Sequence, residues 1–328
     1  MIRMNTMLNW KAQLAIVGLL CAVTSGIGFD GCYDANGGNA SQMGRGVSPM
    51  PDGFQEAAEF NDYWYKGVAE LNRYKLEQAR YSELREGDAV LIFVTEDFLA
   101  DKQVKLESPE GERVAPSVLK VNIVKKFLTG LYPYSMMASV FTPVDLKNWP
   151  NSLKVTTTSQ EWCGHTFTQI NWSNPGYRLR QFSYFEAEGD IDREIKPQLL
   201  EDEVWTRLRI DPASLPVGRV MVLPGTMTSR LLHTDQTPIS AEASFLDIAP
   251  DSDGKKMRRY ILEYTDPART LLIDYRADFP HEIMGWSETY SDFGKVLTTK
   301  AVRTDVLHTD YWNKHSVVDT LLRKELGL

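Results

Sequence analysis

Apolar and polar residues alternate through much of the chain beyond residue 89, the two-residue period of a strand with one buried face. AVLIFVTEDF (89–98), KQVKLE (102–107), SVLKVNIVKKF (117–127) and SLKVTTTSQEW (152–162) are rich in β-branched residues, and GYRLRQFSYFEAE (176–188) continues the texture. RVMVLP, ISAEASFLDI, KMRRYILEYT, RTLLIDYRA, HEIMGWSETY and KVLTTKAVRTDV carry it to the end, with TDPAR (265–269) as a Pro-containing hairpin turn. Glu86-Gly87-Asp88 reads as a turn ahead of the first strand. Helical spacing is confined to two places. Phe60, Trp64, Val68 and Leu71 stand three and four residues apart within 54–71, interrupted near Gly67. Leu199, Leu200, Val204 and Leu208 do the same between Ile195 and Ile210, where Asp211-Pro212 ends the run. Strands without crossover helices predict a mainly β fold: a large curved antiparallel sheet, or half-barrel, with two or three short helices.

The N-terminus departs from this texture. Arg3 and Lys11 precede an apolar run, LAIVGLLCAVTSGIGFDGC (14–32), which is shorter than the ~20 residues of a membrane span. Residues 1–31 therefore read as a signal peptide, with Gly31 supplying the small residue before Cys32, the expected lipidation site. Residues 33–53 are rich in Gly, Ser, Asn and Pro. With Cys32 they make a flexible tether over 32–53, ahead of a single β-rich domain over 54–328. Tyr33, in place of Asp, leaves out the best-known inner-membrane retention signal. The expected location is an outer-membrane lipid anchor facing the periplasm or cell surface. Cleavage near Thr24-Ser25-Gly26 would instead give a soluble periplasmic or secreted protein.

The net charge of −8 becomes −9 once Arg3, Lys11 and Asp30 leave with the signal peptide. So acidic a body is unsuited to a phosphate backbone, and nucleic acid is not an expected partner. Only Cys163 accompanies Cys32 in the mature chain, which excludes a disulfide framework.

SQEWCGHTF (159–167) carries the sharpest candidate chemistry. As one extended strand it would put Glu161, Cys163 and His165 on a shared face. His165 would take the Cys163 proton and Glu161 would orient the ring. Positions i and i+2 stand about 7 Å apart, however, whereas nucleophile and base have to meet at about 3 Å. The expectation taken forward is a buried thiol acting as a small hydrophobe beside a hydrogen-bonded histidine. Two ligands are too few for zinc, and neither a metal nor another cofactor is expected. FPHEIMGWSETY (279–290) would align Glu282, Met284, Trp286, Glu288 and Tyr290. Its carboxylates would stand roughly 20 Å apart, too far for a glycosidase pair, and are expected to be solvated. FLTGLYPYSMMASVF (127–141) concentrates aromatic and Met side chains. Tyr132, Tyr134, Met136 and Met137 are the candidates for lining an apolar groove that would take a lipid-like ligand.

YKLEQARYSELREGDAVLIFVTEDF, KKFLTGLYPYSMM, SQEWCGHTFTQIN and VLTTKAV resemble a group of secreted lipoproteins of Bacteroidetes-type bacteria, over most of residues 60–328. Members often carry the label "septum formation inhibitor Maf". True Maf proteins are cytoplasmic α/β nucleotide pyrophosphatases with a Ser- and Arg-containing phosphate loop near the start, where this chain has a signal segment. The resemblance implies a lipoprotein and no activity. The expected function is a membrane-anchored binding or scaffolding module; the alternative is a thiol-dependent enzyme using Cys163 and His165.

Overall fold

The alternating segments fold into one sheet of sixteen strands in the computed structural model, which describes residues 57–108, 111 and 113–328. The signal segment, Cys32 and the tether lie outside the described residues. In chain order the strands are β1 (Ala69–Arg80), β2 (Glu83–Leu99), β3 (Val104–Lys105), β4 (Ser117–Thr129), β5 (Tyr132–Pro143), β6 (Lys154–Glu161), β7 (Gly164–Trp172) and β8 (Tyr177–Ser183). They continue as β9 (Ile191–Ile195), β10 (Leu199–Leu200), β11 (Gly218–Leu223), β12 (Ile239–Ile248), β13 (Met257–Thr265), β14 (Ala268–Arg276), β15 (Ile283–Asp292) and β16 (Lys295–Thr309). Four short α-helices, where two or three were expected, lie among the described residues: α1 (Ala57–Trp64), α2 (Val204–Ile210), α3 (Thr226–Leu232) and α4 (Thr320–Glu325).

Across the sheet the order is β10-β11-β12-β13-β14-β15-β16-β1-β2-β4-β5-β6-β7-β8-β9, with β3 beside β2. Every pairing is antiparallel except β10 with β11. The first and last long strands meet mid-sheet, Ala69 opposite Thr309. The two edges, β9 and β10, are separated in the chain only by residues 196–198. Four extended steps span at most about 14 Å, so the edges face one another at that end. The sheet stays open and does not close into a barrel.

The concave face is filled from within. All seven residues of α2 are buried, and Trp205 meets Trp286 edge to face with centroids 5.2 Å apart. Each fully buried large apolar side chain contributes roughly 1.5–3 kcal/mol. Arg209 of α2 donates to both carboxylate oxygens of Glu70 on β1 at 2.6 and 2.7 Å. Burial alone would raise the Glu70 pKa, but the Arg209 charge and its hydrogen bonds hold the carboxyl well below its usual range. Arg269 on β14 pairs with Glu288 at 2.8 Å and with Glu201, ahead of α2, while Thr228 of α3 donates to Glu288 at 2.8 Å. Asp202 accepts from both the N–H and the hydroxyl of Thr226 at 3.0 Å; burial, with Glu201 nearby, pushes its carboxyl up to about 7.

Several expectations shift. Glu288 is buried rather than solvated: it shares the inner face with Trp286 and Tyr290, and Arg269 neutralises it. Glu282 lies past a bulge at Met284, where Asp274 pairs with Gly285 and Tyr275 with Ile283; it is held between Arg276 and Arg303. Gly87 lies mid-strand rather than in a turn, paired with Leu76 and Phe127, and the close approach of β4 requires glycine there because a methyl would collide with the Lys126 carbonyl. The first helix stops at Trp64, since Gly67 takes φ +75° and β1 begins at Ala69; Val68 and Leu71 lie beyond it. The second is α-helical only from Val204, because Leu199 and Leu200 pair with β11 and Glu201–Glu203 form a 3-10 turn.

Candidate functional site

The 159–167 segment folds back on itself. Glu161 pairs with Gly164 and Gln160 with His165, so Trp162 and Cys163 form a two-residue turn. Cys163 is exposed there rather than buried, because a turn residue has no facing layer to cover it. His165 is exposed too, while the Glu161 side chain turns inward to accept from the Cys163 N–H at 2.6 Å and to approach Arg230 at 3.9 Å. Cys163 and His165 share no hydrogen bond among the described residues. The Glu161 carboxylate beside the thiol raises its pKa, with smaller opposing effects from Tyr132 and Arg230, the reverse of an activated nucleophile.

The four ligand-groove candidates do not line one surface. Tyr134 and Met136 are buried in the concave core, Tyr132 stands at its rim, and Met137 points to the outer face. Tyr134 stacks on Phe127 at 4.8 Å and shares a 2.8 Å hydrogen bond with Tyr81. Tyr81 also receives hydrogen bonds from Tyr132 and Arg80, both at 3.2 Å. Burial raises its pKa, but these bonds and the Arg80 charge outweigh that and lower it. Arg230, His233 and Glu188 continue this polar cluster, Glu188 accepting from Arg230 at 3.1 Å and lying 2.6 Å from His233 Nδ1. The cluster draws on β1 and the turn after it, on β5, the β8–β9 loop and α3, and of its members only Tyr132 and Tyr134 stand in a segment that the sequence singles out.

The outer face carries a different feature. Where β16, β1, β2 and β4 run side by side, Leu307, Leu71, Val90, Ile92 and Val124 make an apolar floor. The chain after β16 crosses over it and leaves a groove of about 390 Å³, walled by Tyr311, Leu322 and Leu326. Charges ring the mouth. Asp88 is paired with Arg73 at 2.7 Å, Lys314 with Asp310 at 3.4 Å, and Asp319 accepts the Ser316 N–H at 2.8 Å. Lys126 and Arg323, also on the lining, have no ion-pair partner among the described residues. The signal for this floor is in the sequence. AVLIFV (89–94) runs apolar without alternation, as in a strand covered on both faces.

No protein-family model matches the chain, and no curated protein or solved structure is significantly similar to it. Among the described residues no helix is long and apolar enough to cross a membrane, and no group of His, Cys, Asp and Glu could hold a metal ion.

Proposed function

We propose that this chain is a membrane-anchored lipoprotein whose β-rich body binds an anionic amphiphile in the outer-face groove. The apolar tail lies on Leu71, Val90, Ile92 and Val124, and the anionic head meets Lys126 and Arg323. The observation that carries this reading is an apolar floor beneath two cations without an ion-pair partner among the described residues, in a groove of about 390 Å³. That volume lies within the roughly 300–1,000 Å³ of small-molecule sites. The anchor rests on the signal-like segment ending at Gly31-Cys32, two or more acyl chains being enough for stable attachment. The reading of Cys163 and His165 as a catalytic pair has no comparable support.

Calorimetric titration with dodecanoate tests the groove. The wild type should bind, Val124→Trp should abolish binding by filling the floor, and Arg323→Glu should weaken it about tenfold. Equal binding by wild type and Val124→Trp, or none by the wild type, would refute the reading. Cys32→Ser should separately move the protein from the membrane to the soluble fraction.

A further inference from the structure

Five successive hairpins, β15–β16, β1–β2, β4–β5, β6–β7 and β8–β9, turn at the same end of the sheet. Four of these tips expose a large apolar side chain: Phe293 at 69%, Leu131 at 81%, Trp162 at 68% and Tyr184 at 73%. The fifth holds Tyr81, against which Phe293 packs at 5.4 Å. Trp162 stacks on Tyr132 at 6.3 Å, and the Tyr184 ring covers Gly164 so closely that a methyl there would strike it. Just below the tips, Leu128 and Val296 stand exposed on the outer face. Tips two strands apart recur every ~10 Å, so the apolar edge follows an arc of roughly 40 Å.

Neither local conformation nor core packing accounts for this edge. Phe293 holds φ +48°, a left-handed position that suits Asn or Gly, and it is nevertheless exposed. Backbone strain kept at an exposed aromatic residue points to a use outside the fold.

We infer that this rim docks on the lipid–water interface of a bilayer. The edge mixes Leu and Val with Trp, Tyr and Phe. Aliphatic side chains favour the acyl region, and amphipathic rings favour the headgroup level. Arg230 pairs with Glu188 and Arg85 with Glu83, and Lys295 beside Phe293 is a single cation that donates to the Ser82 carbonyl, so there is no cationic patch and attraction to anionic lipid is not the driving force. The chain outside the described region allows the contact. The 24 residues between Cys32 and Ala57 can extend to about 80 Å, twice the ~40 Å length of β1, so an acylated Cys32 leaves the far rim free to reach the same membrane. The inference rests on the rim alone and stands whether or not Cys32 is acylated or the outer groove is filled.

The test uses the full chain with Cys21→Ser and Cys32→Ser, which leaves Cys163 as the labelling site at the β6–β7 tip for an environment-sensitive fluorophore. Phosphatidylcholine vesicles should shift its emission to the blue, and high salt should not reverse the shift. Phe293→Asn, which restores a favoured turn residue, should unfold no more easily than the parent yet lose about tenfold in partitioning. Leu131→Ser should lose a similar factor. An unchanged emission in the presence of vesicles, partitioning by both variants equal to that of the parent, or a response only to anionic vesicles that salt abolishes would each overturn the inference. A response to a soluble protein or glycan in place of vesicles would do so as well.

Discussion

Arg209 and Glu70 form a two-pronged ion pair in full burial, fastening α2 to the first strand across 139 residues of chain. Removing one partner leaves a lone charge where water cannot reach. Arg209→Met should cost about 3–5 kcal/mol, and Glu70→Gln in the same chain should restore part of it. Urea unfolding of the single and double variants gives both numbers; additive losses would show that the pair is not coupled.

Asp202 gives the protein a pH dependence of identifiable sign. Its folded pKa is raised to about 7, against roughly 3.9 in an unfolded chain. Between those values the folded state holds a proton that the unfolded state has released. The contribution of Asp202 to stability is thus full below about pH 4 and is lost as pH rises through 7. Relative to Asp202→Asn, the wild type should lose about 2–3 kcal/mol between pH 5 and pH 8 in denaturant titrations. Glu70 has the opposite sign: its contribution is present above the unfolded pKa and is lost only as pH falls through its depressed folded value.

Cys163 should react with iodoacetamide without denaturant, because it lies at an exposed turn. The reaction should be slow near neutrality, since Glu161 raises the thiol pKa. Glu161→Gln removes the carboxylate charge and leaves only a neutral, weaker acceptor beside the thiol, so the rate profile should move to lower pH. His165→Ala should leave it unchanged. A rate that falls on removing His165 would revive the thiol-enzyme reading.

Gly87→Ala should cost about 1–3 kcal/mol, because the new methyl meets the backbone of Lys126 and the Cβ of Phe127 rather than a side chain that can swing away. A thermal unfolding midpoint matching the wild type would contradict the close approach of β2 and β4.

These sites show how far the sequence can be read. Alternation gave the strands of β4, β6 and β15 and even the shared face of Trp286, Glu288 and Tyr290, because side-chain direction follows from the backbone period alone. It misjudged the polarity of Glu288, since the neutralising Arg269 lies on another strand and a single segment does not reveal its cross-strand partner. Cys163 was misread as a strand residue because Trp162-Cys163 lacks the Asn-Gly or Asp-Gly signature of a tight hairpin. Of the Tyr81 cluster only Tyr132 and Tyr134 stood out, because their partners come from other elements, with Arg80 and His233 separated by 153 residues. The outer groove was half legible: the unalternating AVLIFV announced a doubly covered strand, but the covering segment lies over two hundred residues away.

The central claim, that the outer groove carries an anionic amphiphile, is tested most directly by native mass spectrometry. The Cys32→Ser protein would be purified without detergent from the organism that makes it, alongside the same protein with Val124→Trp. The account predicts a mass increment on the first that organic extraction releases as an anionic amphiphile, and a bare second protein. A bare first protein, or the same increment on both, would contradict it.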